Sequence, residues 1–142
     1  MVAADSLGYI EAMSKEVLIK GVVVSGRKLG TKLGFPTVNV VYKGDIKGVF
    51  VGEILLGNEW AQAVIHIGKK PTIQDDEVSL EVHILNWSGE VKEGINVSVK
   101  LSEKIRDTKK FEDLEELKKA IEKDVEFVRN WYNLQGGVIK IK

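Results

Sequence analysis

The chain has 142 residues, 21 Lys+Arg against 21 Asp+Glu, 44% apolar residues, two prolines and no cysteine. That is the composition of one soluble globular domain, long enough to bury a core, and it excludes a wholly disordered chain. The lack of cysteine excludes thiol catalysis, disulfides and Cys-based zinc sites. His66 and His83 are too few for a polyhistidine centre, so any metal here should be oxygen-bound. Zero net charge argues against a broad nucleic-acid footprint, although a local basic loop can still hold a phosphate.

In chain order, residues 1–16 mix Asp5, Glu11 and Glu16 with scattered apolar residues and lack a basic start followed by an apolar run. This is not the pattern of a secretory signal, and the segment is expected to be a helical or disordered extension. Runs such as Val22-Val23-Val24 fall far short of the ~20 residues that a membrane crossing needs. A cytoplasmic protein without membrane association is expected.

From Val17 to Leu101 the pattern is one of short β-rich runs separated by glycine turns, as in an all-β barrel or sandwich. Val17 to Val24 opens the series. Phe35-Pro36-Thr37-Val38-Asn39 begins the next strand, and Gly48 to Leu56 and Trp60 to Ile67 flank Gly57-Asn58-Glu59, short enough for a hairpin. In Leu80-Glu81-Val82-His83-Ile84, period two sends Leu80, Val82 and Ile84 to the core and puts Glu81 and His83 on the opposite face. Ile95, Val97, Val99 and Leu101 mark a sixth strand with one wet face, and six strands suffice for a small barrel.

After Leu101 the period changes. Leu114, Leu117, Ile121, Val125 and Val128 recur at three- and four-residue spacing and predict one amphipathic helix. Asp113 and Glu116 form a capping-box pattern at its start, and Glu115 and Lys119 add an exposed pair one turn apart. The helix is expected to end near Trp131 or Tyr132. A domain over residues 17–135 would then be followed by an unassigned tail, 136–142, opening on Gly136-Gly137.

Three features carry possible chemistry. Gly26-Arg27-Lys28-Leu29-Gly30-Thr31-Lys32-Leu33-Gly34 combines three glycines with three basic residues. Such a loop can wrap a phosphate, or be a solvated basic turn; it lacks the Gly-Lys-Ser/Thr of a Walker A loop. Thr37 and Asn39 fall on one face of their strand, where a hydroxyl and an amide oxygen could share a hard cation such as Mg²⁺, or could be merely its polar side. Glu81 is the lone carboxylate of its strand: a general base if it borders a desolvated cleft, a solvent-facing residue otherwise. His83 is ambiguous in the same way, and His66, inside the apolar run Ala63 to Ile67, reads as a structural histidine.

The stretch from Gly26 to Asn39 resembles the signature of riboflavin kinases, including the kinase module of bacterial bifunctional FAD synthetases. Lys47-Gly48-Val49-Phe50, Ile67-Gly68-Lys69-Lys70-Pro71-Thr72, Leu80 to Leu85, and Arg106 to Phe111 agree with that family in the same order. Thr31, Val38 and Lys70 depart from residues that members often carry. The resemblance implies a mainly β protein, a six-stranded antiparallel Greek-key barrel with a C-terminal helix, that moves the γ-phosphate of ATP to the 5′-hydroxyl of riboflavin to give FMN.

It implies Thr37 and Asn39 as the residues for Mg²⁺ and the nucleotide phosphates, Gly26 and Lys32 as part of the ATP site, and Glu81 as the base. Arg106 matches the arginine of a mobile loop on the flavin side. A monomer acting on riboflavin and ATP, without nucleic acid and without FAD synthesis, is expected, because residues 1–16 are too few for an adenylyltransferase domain. The alternative is a flavin- or nucleotide-binding barrel that has lost catalysis and serves as a sensor.

Overall fold

A computed structural model describes residues 16–24, 37–69, 78–87 and 91–140, with side chains to 134. The glycine loop with Gly26, Thr31 and Lys32, and the segment with Lys70 and Pro71, lie outside the described residues. Alternation of apolar and polar residues produces six strands: β1 (Val17–Val24), β2 (Thr37–Val40), β3 (Gly48–Leu56), β4 (Glu59–Lys69), β5 (Val78–Ile84) and β6 (Asn96–Arg106). They close into an antiparallel barrel in the order β1-β2-β5-β4-β3-β6. Consecutive strands β3, β4 and β5 are neighbours, and β6 returns to lie beside β3, which is the Greek-key arrangement.

The β3–β4 hairpin turns on Gly57 and Asn58 alone, one residue tighter than expected. Gly57 takes a φ of 65°, a positive value that two-residue hairpins require and that glycine adopts without steric cost.

Period two sorts every strand into an inward and an outward row. Ile54, Ile65, Ile67, Leu80, Val82, Ile84 and Val99 point inward and have no solvent exposure. Each such side chain contributes roughly 1.5–3 kcal/mol through burial, which fixes the strand register, because a slip by one residue would turn the whole row outward. The outward row of β3 and β4 is also apolar: Val49, Val51 and Val64 pack with Leu85 against Ile121, Val125 and Val128 of α1 (Leu114–Lys140).

The helix differs from the expectation in three ways. Leu114 is 63% exposed, since the first turn lies outside the apolar cluster that begins at Leu117 and Ile121. At the cap, the Glu116 N–H donates to Asp113 Oδ1 (2.9 Å), but the Glu116 carboxylate accepts from the N–H of Glu112 (3.2 Å), one residue earlier than a capping box predicts. The helix also continues to Lys140, through Gly136-Gly137 and into the expected tail. Glycine lowers helix propensity by about 1 kcal/mol relative to alanine but keeps its N–H, so unlike proline it leaves the i→i−4 ladder intact. Among the described residues no helix is long and apolar enough to cross a membrane.

Candidate functional site

While α1 packs on β3 and β4, β5 and then β2 continue the barrel beyond β4. Val38 and Val40 go to the core, so Thr37 and Asn39 point out; Leu80 and Val82 do the same for Glu81 and His83. The register then places Asn39 directly opposite Glu81, and Thr37 directly opposite His83. Directly paired residues share a face. Thr37, Asn39, Glu81 and His83 therefore form one two-by-two patch, although Asn39 and Glu81 are 42 positions apart in sequence (81 − 39).

The Asn39–Glu81 pair is one end of a belt. His66 on β4 is opposite Glu81, Val49 on β3 is opposite His66, and Arg106 on β6 is opposite Val49. Arg106 reaches this position through register shifts between Val49 and Phe50 and between Val51 and Gly52, which bend β6 against β3. Asn39 and Arg106 are thus four strand steps apart along this belt.

The electrostatics of the two ends differ. At one end, His83 Nε2 lies 2.8 Å from Glu81 Oε1, with the histidine side chain 8% and the carboxylate 21% exposed. At the other, Arg106 donates from Nε to Asp124 Oδ1 (3.0 Å) and from Nη2 to Asp124 Oδ2 (2.8 Å), a bidentate pair to a buried acid of α1. Arg106 is thus the last residue of β6, tied to the helix, and not a loop residue; the loop begins at Asp107. Beyond it lies an open cavity of about 330 Å³ between the loop and α1, lined by Arg106, Lys109, Phe111 and Lys123, with the Arg106 guanidinium 5.7 Å from the Phe111 ring centre. His66 stands between the two ends. Burial pushes its pKa below the ordinary value, and of the charges around it Glu81 and Asp124 oppose that shift while His83 and Arg106 reinforce it.

Two polar atoms in the patch are buried and have no hydrogen-bond partner among the described residues, Asn39 Oδ1 and His83 Nδ1. An orphaned buried acceptor costs roughly 1–3 kcal/mol. Asn39 Oδ1 beside the Thr37 hydroxyl is a donor set that fits a hard cation, which takes neutral oxygens and completes its shell with water and phosphate. No cluster of three His, Asp or Glu side chains suited to a metal exists among the described residues, so an ion here would depend on its substrate for the remaining ligands.

Thr37, Asn39 and Glu81 are thus brought together, Arg106 stands at the far end of the same belt, and Gly26 and Lys32 lie outside the described residues. Two participants were missed from sequence. Asp124 had a signal: it sits three residues after Ile121 and four before Val128, an acid on the buried stripe of a helix that must find a cation. The contact of His83 with Glu81 had only a weak one, the shared face.

The riboflavin kinase (flavokinase) family profile matches residues 13–132. A bifunctional riboflavin kinase/FMN adenylyltransferase of Escherichia coli K12 is 36% identical over 137 residues, covering 93% of this chain and 44% of that protein. Among solved structures, a macrolide-efflux protein from Streptococcus pneumoniae superposes with a TM-score of 0.69 at 30% identity, over 80% of this chain and 38% of that one. Riboflavin kinase from Trypanosoma brucei superposes with a TM-score of 0.58 at 24% identity, over 83% and 80%, a likeness of fold. The chain spans about half the length of the curated relatives it matches. Profile, identity and barrel agree: this chain belongs to the riboflavin kinase family.

Proposed function

We propose that this protein phosphorylates riboflavin, transferring the γ-phosphate of ATP to the 5′-hydroxyl to give FMN and ADP. The observation that carries the proposal is the Asn39–Glu81 cross-strand pair, which sets an orphaned buried amide oxygen next to a carboxylate. Phosphoryl transfer depends on positioning and on neutralising charge, with modest proton movement.

In this reading Glu81 accepts the proton of the ribityl hydroxyl as its oxygen bonds to the γ-phosphorus and the bond to the ADP oxygen breaks. Thr37 and Asn39 would hold Mg²⁺, which supplies charge neutralisation on the nucleotide phosphates. The family resemblance assigns Gly26 and Lys32 to the nucleotide, for which a lysine would supply positive charge and a glycine would permit close backbone approach. Arg106, at the other end of the belt from Asn39, belongs to the flavin side. Its bond to Asp124 fixes one wall of the cavity that Phe111 also lines.

The test is incubation with riboflavin, ATP and Mg²⁺ and chromatography for FMN. Turnover is expected, and Glu81→Gln should lower kcat by about 10²–10⁴, the usual worth of a general base, while riboflavin binding persists. Flavin binding without FMN formation would sink the proposal in favour of a sensor.

A further inference from the structure

We infer that His83 is a positioning residue for Glu81: its Nε2–H holds the carboxylate in the orientation that accepts the substrate proton. The inference rests on the assignment of Glu81 as base. Glutamate has three rotatable side-chain bonds, so a carboxylate held in one orientation needs a partner that restrains it. The 2.8 Å contact between Glu81 Oε1 and His83 Nε2 does so, and it is shielded, since His83 is only 7% exposed. Alternation alone brings the two together: they are successive outward residues of β5, with Val82 turned into the core between them.

The direction of the hydrogen bond follows from the same geometry. A donor is needed at Nε2 to face the carboxylate, while Nδ1 has no hydrogen-bond partner among the described residues. A neutral ring with its proton on Nδ1 would oppose a lone pair to the carboxylate and bury an N–H with no acceptor, two losses at once. The ring is therefore fixed as a donor toward Glu81. His83 is also the cross-strand partner of Thr37, so its packing joins the β5 acid to the β2 oxygen pair.

The experiment compares His83→Leu, His83→Gln and Glu81→Gln, alone and as the His83→Leu/Glu81→Gln double variant, in steady-state riboflavin phosphorylation. Glutamine carries an N–H donor near the position of Nε2; leucine carries none. His83→Leu should lower kcat roughly tenfold to a hundredfold, the cost of a misplaced reacting group, with KM for riboflavin and Mg-ATP unchanged. His83→Gln should recover most of that loss, and His83→Leu should add little once Glu81 is glutamine. Wild-type kcat in folded His83→Leu, a loss that glutamine does not recover, or full additivity with Glu81→Gln would each overturn the inference. Should the leucine variant fail to fold, His83→Gln decides alone: kcat near wild type supports the role, and a loss as large as that of Glu81→Gln refutes it. Failure of the base assignment is read separately, as undiminished turnover by Glu81→Gln.

Discussion

Neutralising the acid that ties α1 to the barrel, Asp124→Asn, tests how the Arg106 wall of the cavity is held. Asp124 is 4% exposed and receives two hydrogen bonds from Arg106, whose side chain is 27% exposed. Removing one partner of a buried pair typically costs 3–5 kcal/mol, because the other charge stays buried without compensation. The guanidinium keeps some contact with water and asparagine keeps one acceptor, which puts the loss at the low end, about 3 kcal/mol. For a domain of this size that is a fall in Tm of roughly 6–12 °C.

Thermal unfolding followed by circular dichroism, with urea titration for the free energy, measures it. Arg106→Met should cost at least as much, and the double variant less than the sum of the singles. A loss below about 1 kcal/mol would show that the pair behaves as a solvent-screened surface bridge, and the idea of a fixed wall would fall.

Three further outcomes are expected. Asn39→Leu should weaken the apparent affinity for Mg-ATP about tenfold or more, from the 1.5–3 kcal/mol of a contact to a charged group; because it removes an orphaned buried oxygen, thermal stability should not fall. An unaltered metal dependence would take Asn39 out of the site. His66 has its pKa lowered by burial, so the unfolded chain binds its proton first: stability is full above the ordinary value of 6.5 and is lost as pH falls below it. His66→Gln should flatten that slope, and an unchanged urea midpoint profile between neutral pH and pH 5 would contradict the burial. Tyr132 donates to the carbonyl of Gly52 (2.9 Å), and burial, with Glu53 and Glu16 adding to it, raises its pKa above the ordinary value of 10.0. The unfolded chain releases that proton first, so stability should fall as pH climbs beyond 10, a slope that Tyr132→Phe removes at a cost of about 1 kcal/mol near neutrality.

The local periods in the chain settle which residue of each strand faces in and which faces out. Leu80, Val82 and Ile84 against Glu81 and His83, or Val38 and Val40 against Thr37 and Asn39, are decided by alternation, because period two is a property of a single strand. The apolar stripe Ile121, Val125 and Val128 likewise identifies the helix and its packed side. What alternation cannot supply is the neighbour across the sheet. That Asn39 meets Glu81, that His66 and Val49 carry the row on to Arg106, and that Asp124 closes it are products of barrel closure, strand order and two register shifts. Those are set by the cooperative filling of one interior by six strands, a long-range condition that no window of sequence contains.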